Sequence, residues 1–260
     1  MKSRRLRSAL VIGFTLGLVG QFANADNRER FEARTFESPN GDKLHYRLLR
    51  PRNYNKDSAY PLVLFFHGAG ERGDDNFKQL VHGMRDFASD EIMEKHPCFV
   101  IAPQCPNGKQ WVDTPWSAES HEMPEQTPQM RMSLELVGAL QKQFSIDAKR
   151  LYATGLSMGG FGTWDAIQRY PKVFAAAVAI CGGGDSRPEK VKPIAQLPIW
   201  VFHGGKDTVV KTKRSRDMIS ALKKAGGNPK YTEYPKTGHN SWARAYSDRE
   251  LFTWLFAQKR

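Results

Sequence analysis

Cysteine is scarce in this chain. Its 260 residues hold three, Cys98, Cys105 and Cys181. An odd set leaves at least one thiol free or pairing between chains. Cys98 and Cys105 bracket the apolar run Phe99 to Ala102. If that run is a strand they lie about 20 Å apart, far beyond disulfide reach. All three are read as structural, and no Cys/His spacing suited to a metal occurs, so no metal site is expected. Long hydrophobic runs are as rare. The one candidate, Ala9 to Val19, follows Lys2, Arg4, Arg5 and Arg7 and precedes Ala23-Asn24-Ala25. That is the pattern of a secretory signal peptide, here 1–25, cleaved after Ala25. The alternative is an uncleaved anchor, for which the run is short. The expectation is a secreted or periplasmic protein with no stable membrane anchor. Internal repeats and low-complexity linkers are absent too, which argues against solenoids and disordered tethers.

Removal of 1–25 takes four of the 39 basic residues and none of the 27 acidic ones, so the net charge falls from +12 to +8. The surplus is spread along the chain rather than gathered into an arm or patch, and no recognisable module accompanies it. It reads as a solvated basic surface, with no nucleic-acid partner. A chain of this length can bury one substantial core, and 26–260 is expected to be a single domain.

Phe31 to Glu37 and Leu44 to Leu49 flank Pro39-Asn40-Gly41-Asp42, and Asn-Gly between such runs signals a hairpin. Leu62 to Phe66 is continuously apolar, as befits a strand covered on both faces. Further strands are expected at Phe99 to Ala102, Leu151 to Thr154, Ala175 to Cys181, Ile199 to Phe202 and Tyr231 to Tyr234. Helices are expected at Met132 to Phe144, Gly159 to Tyr170, Thr212 to Ala225 and Asp248 to Gln258. Such alternation predicts an α/β fold, a mostly parallel central sheet with helices on both faces and an antiparallel hairpin at the start. Pro103 to Pro128 is long and weakly periodic, and it follows a strand's carboxyl end, where open α/β sheets bind ligands. It is a candidate wall for a pocket.

Gly155-Leu156-Ser157-Met158-Gly159 lies between a strand and a helix, where a nucleophile elbow belongs, and makes Ser157 the candidate nucleophile. A solvated serine in a glycine-rich turn is the plain alternative. A serine nucleophile needs a base, an acid that orients the base, and donors for the oxyanion. Asp207, in the loop after Ile199 to Phe202, is the candidate acid, with Asp185 in reserve. His239, in Gly238-His239-Asn240-Ser241-Trp242, is the candidate base; His203 and His67 end apolar strands and read as structural. The order Ser, Asp, His is that of α/β-hydrolases. Backbone N–H groups of Ala69 and Met158 are the candidate oxyanion hole. Gly70, Trp111, Trp116 and Trp242 are candidate pocket residues, while Trp164, on the helix after Ser157, reads as core. Arg72 is read either as a substrate contact or as a pin for its loop.

His67-Gly68-Ala69-Gly70-Glu71-Arg72-Gly73, Ala102-Pro103-Gln104-Cys105-Pro106 with Trp111 downstream, Gly155 to Gly160, His203-Gly204-Gly205-Lys206-Asp207 and Gly238 to Trp242 together carry a family resemblance. The chain resembles secreted α/β-hydrolases known as predicted peptidases or phospholipase/carboxylesterase-like proteins, akin to polyhydroxybutyrate depolymerases and feruloyl or acetylxylan esterases. The resemblance covers nearly all of 26–260. It implies a serine esterase with Ser157, Asp207 and His239 as triad, Met158 and Ala69 as oxyanion hole, no cofactor, and a small-molecule or polysaccharide ester as substrate. Two other readings are a serine peptidase acting on small peptides and a non-catalytic protein that binds polysaccharide or envelope.

Overall fold

The computed structural model describes residues 26–260; the expected signal peptide, 1–25, lies outside the described residues. Eight strands form one sheet: β1 (Glu32–Glu37), β2 (Lys43–Leu49), β3 (Tyr60–Phe66), β4 (Phe99–Pro103), β5 (Ile146–Leu156), β6 (Ala176–Ile180), β7 (Ile199–Gly204) and β8 (Lys230–Tyr234). Their order is β1-β2-β4-β3-β5-β6-β7-β8. The β1–β2 and β2–β4 pairs are antiparallel, and every other pair is parallel. The opening hairpin closes where Asn-Gly placed it, with Gly41 at φ 85° and the Ser38 N–H donating to Asp42 O at 2.8 Å. This is the mostly parallel α/β sheet that the alternation of strands and helices predicts, in the α/β-hydrolase arrangement that the resemblance implies.

Along β3, alternate residues serve opposite faces. Leu62, Leu64 and Phe66 join one core with Trp111 and Trp164, whereas Val63 and Phe65 join the other with Phe87, Tyr246 and Phe252. Helices α3 (Pro128–Gln143), α4 (Met158–Arg169) and α6 (Lys213–Lys224) contribute to the first core. The short helices α1 (Met84–Phe87), α2 (Asp90–Lys95), α7 (Trp242–Ser247) and the longer α8 (Arg249–Ala257) contribute to the second; α5 (Pro188–Val191) precedes β7. Among the described residues no helix is long and apolar enough to cross a membrane.

Two element starts differ from expectation by more than two residues. α3 starts at Pro128 rather than Met132, because Thr127 Oγ1 accepts the Met130 N–H and Pro128 occupies the first helical position. β5 starts at Ile146 rather than Leu151, since Ile146 pairs with Tyr60 across the sheet. The short helices α1, α2, α5 and α7 were not expected at all.

Close packing of β3, β5 and α4 depends on glycine. A Cβ on Gly159 would lie 1.9 Å from the Phe66 carbonyl oxygen, and one on Gly155 would lie 2.4 Å from the Gly159 carbonyl oxygen. Backbone, unlike a flexible side chain, cannot yield. Gly159→Ala is therefore expected to cost at least about 3 kcal/mol of folding stability. Urea denaturation checks this, and a midpoint equal to that of the unaltered protein would refute it.

Candidate active site

Ser157 links β5 to α4 with φ 53° and ψ −120°, a conformation that non-glycine residues rarely adopt. Its N–H donates to Ile180 O at 2.9 Å, fixing the turn against β6. The strain lifts the hydroxyl clear of the sheet toward the loop that follows β8. There His239 Nε2 lies 2.8 Å from Ser157 Oγ, and His239 Nδ1 lies 2.7 Å from Asp207 Oδ2. Three side chains from three separate strand-end loops thus meet in one hydrogen-bonded row. Such a row gives a serine a base within proton-transfer reach and gives that base an anionic partner.

Asp207 is held from several sides. Its Oδ1 accepts the N–H groups of Val209 and Val210 at 2.8 and 2.9 Å. Its Oδ2 faces His203 Nε2 at 3.1 Å as well as His239. Burial alone would raise this carboxyl, but the bonds from His203, His239 and the two amides outweigh it and hold the group well below the usual carboxylate range. The carboxylate is therefore ionised at neutral and mildly acidic pH. His203 Nε2 also lies 2.9 Å from Val210 O, while its Nδ1 lies 2.7 Å from Ser215 Oγ. Two acceptors at Nε2 assign the proton to that nitrogen. His203 thus keeps its structural reading, with a target that sequence did not reveal.

The other reserves are committed elsewhere. Asp185 is buried and bonds the Arg187 guanidinium and the Met123 N–H. His67 accepts the Cys105 N–H at Nε2 and bonds Gly68 O through Nδ1; burial lowers it to about 4, so it is neutral. Arg72 Nε donates to Ala69 O at 2.8 Å and the guanidinium lies 5.9 Å from the Trp116 ring, which fits the loop-pinning reading.

A cavity of about 240 Å³ opens over Ser157 and His239. The candidate pocket residues Gly70, Trp116 and Trp242 line it, together with Ala69, Glu71 and His82. Met158 does not line it, but its N–H stands at the first position of α4, where a helix leaves N–H groups without intrahelical acceptors. Trp111 is a correction. It is fully buried in the core against Phe66 and His67, with its indole N–H donating to His67 O at 3.0 Å. It anchors the long loop after β4 rather than lining a pocket. Trp164 is buried as expected. A larger cavity of about 700 Å³, lined by Lys192, Lys213 and Lys224 among others, contains none of Ser157, Asp207 and His239.

All three cysteines are free and buried. Cys181 Sγ, with donor atoms of Asp207 and His239, falls in a group whose atoms lie within 4.8 Å of one another. As a metal site this set fits poorly: burial pushes the Cys181 thiol up to about 12, and the other two groups are hydrogen-bonded to each other.

Sequence reasoning missed His82, which lies in a stretch without a motif, and the part taken by Glu71. His82 Nε2 sits 3.6 Å from Glu71 Oε1, and its ring lies 5.3 Å from that of Trp242.

The chain matches the phospholipase/carboxylesterase family model over residues 53–254. Among proteins of known structure it is similar to a thermostable esterase, with 41% identity and a TM-score of 0.83, covering 89% of this chain and 64% of that one. It is 25% identical to carboxylesterase SOBER1 of Arabidopsis thaliana over 70% of this chain and 84% of that protein. It is also 25% identical to a bifunctional acetylxylan esterase/xylanase of Neocallimastix patriciarum, over 75% of this chain. The match spans only 26% of that relative's length. With fold, strained serine and family match in agreement, the chain belongs to the phospholipase/carboxylesterase family.

Proposed function

We propose that the protein is a serine carboxylic-ester hydrolase working through an acyl-enzyme on short-chain or polysaccharide-linked acyl esters. The observation that carries this is the row Ser157, His239, Asp207, at 2.8 and 2.7 Å, opening on a cavity beside a strained elbow. In the first half-reaction Ser157 Oγ bonds to the ester carbonyl carbon as His239 Nε2 takes its proton. The negative charge moves to the carbonyl oxygen, where the N–H groups of Ala69 and Met158 receive it. As the tetrahedral species collapses, His239 returns the proton to the departing alkoxide, and the alcohol leaves. Water then adds to the acyl-enzyme by the same steps in reverse and releases the acid. Asp207, ionised throughout, balances the imidazolium charge through Nδ1.

Export as a single catalytic domain, 26–260, to periplasm or medium is part of this reading, supported by the leader-like composition of 1–25. A cavity of about 240 Å³ is below the usual range for drug-sized ligands and suits a short acyl group. In a p-nitrophenyl ester series from acetate to palmitate, kcat/KM for acetate to butyrate is expected to exceed that for palmitate by at least about 100-fold. Feruloyl and acetylated xylan oligosaccharides complete the panel. Preference for palmitate would overturn the short-chain reading. Inactivity on every ester, with cleavage of small peptides, would transfer the same residues to a peptidase.

A further inference from the structure

Asp207 Oδ2 stands between two imidazoles. His239 Nδ1 approaches it at 2.7 Å from the loop after β8, and His203 Nε2 approaches it at 3.1 Å from the end of β7. The two histidines are not equivalent. His239 lines the cavity and bonds Ser157, whereas His203 is fully buried, with Nδ1 2.7 Å from Ser215 Oγ. The His203 Nε2–H is shared between Oδ2 and Val210 O, which lies at 2.9 Å. The steps of ester hydrolysis set out above do not use this ring, yet it faces the very oxygen that orients the general base.

Hydrogen bonds to a carboxylate favour its charged form and lower its proton affinity. A donor on Oδ2 therefore weakens the pull of Asp207 on the His239 proton, because both act on one oxygen. Oδ1 is taken by the Val209 and Val210 amides. Building on the ester hydrolase reading, we propose that His203 is a positioning residue that sets the proton affinity of His239 by sharing Asp207 Oδ2. The shared oxygen keeps His239 neutral, and so able to take the Ser157 proton, into mildly acidic pH. Ser215 assists: its hydroxyl donates to Nδ1, which fixes the proton on Nε2 and polarises that N–H toward its acceptors. The other titratable groups nearby are engaged differently. The Cys181 thiol, at the end of β6, is neutral because burial pushes it up to about 12. Glu233 of β8, opposite His203 in the register, bonds Arg216 and Tyr231, each at 2.6 Å. His82 lies 5.3 Å from the Trp242 ring, which in turn lies 5.2 Å from that of His239.

The test combines a proton NMR titration of His239 with the pH profile of kcat/KM on p-nitrophenyl acetate, for the unaltered protein, His203→Phe and His203→Gln. Phenylalanine fills the place of the ring without a donor. It should raise both the His239 midpoint and the acid limb by about half a pH unit or more, which is about a 3-fold loss of kcat/KM on the acid side. Glutamine carries an N–H that can reach Oδ2 and should hold both close to the unaltered values. A merely structural role would lower the plateau or the stability and leave the midpoint in place. Should His203→Phe fail to fold, the unaltered protein decides: the His203 Nε2–H resonance, assigned by its loss in His203→Gln, must move as His239 titrates and with the same midpoint. A resonance that stays put, a midpoint unmoved or lowered in His203→Phe, or an equal rise in His203→Gln would overturn the proposal. Inactivity on every ester, with a midpoint that still responds to residue 203, would overturn the ester hydrolase reading and leave the link between the two histidines standing.

Discussion

Ser157→Ala is expected to lower kcat on p-nitrophenyl acetate by about 10⁴- to 10⁶-fold while the protein stays folded. The change removes one oxygen from a side chain that is largely buried, so the elbow geometry of φ 53° carries over and no cavity of consequence is left. What is lost is the hydroxyl bonded to His239 Nε2. The remaining rate reflects attack by water at a carbonyl still held by the cavity and its backbone donors. Steady-state kinetics, beside a circular dichroism melt to confirm folding, give the answer. Activity reduced by less than 10²-fold would assign the chemistry to another nucleophile.

Asp207→Asn should cost about 10⁴-fold in kcat, for a reason specific to this site. The Val209 and Val210 amides need an oxygen at the Oδ1 position, which puts the new NH₂ group where Oδ2 stood. That NH₂ then points at His239 Nδ1 and forces the ring to accept there, so Nε2 carries a hydrogen and can no longer take the serine's proton. It also meets the Nε2–H of His203, donor against donor. A loss of stability should accompany the loss of rate. The kinetics and the melting temperature check both halves; a variant retaining a tenth of the original kcat would show that His239 is oriented by something else.

How much of this was legible in sequence depended on whether the signal was local. Ser157 and Asp207 each sit in a short glycine-bearing segment after an apolar strand, and His239 in one after the polar strand β8; strand ends on one edge of a parallel sheet converge whatever the intervening helices do. The start of β5 was hidden because Asp147 to Arg150 reads as polar loop; Tyr60 makes strand out of Ile146 by pairing with it. The start of α3 was available locally, in Thr127-Pro128, and was obscured by the apolar period that begins later. Trp111 misled for the opposite reason. A tryptophan in an irregular loop resembles a pocket wall, yet its position is decided by a carbonyl 44 residues away. Glu71 stood in view within the loop after β3, but only three-dimensional packing reveals that it meets His82 at the cavity.

The surroundings of Asp207 bear on how this site comes into being. His203, Val209, Val210 and Ser215 all belong to β7, α6 and the turn between them, so the nest around the acid is built by one short stretch of chain. Contacts so near in sequence close quickly and with little loss of chain entropy. Ser157 and His239 must find that nest from 50 residues upstream and 32 residues downstream. The side-chain partners of the anion can thus be in place during folding before Ser157 and His239 dock. Assembly of the site then reduces to the arrival of an imidazole at a charge already waiting for it.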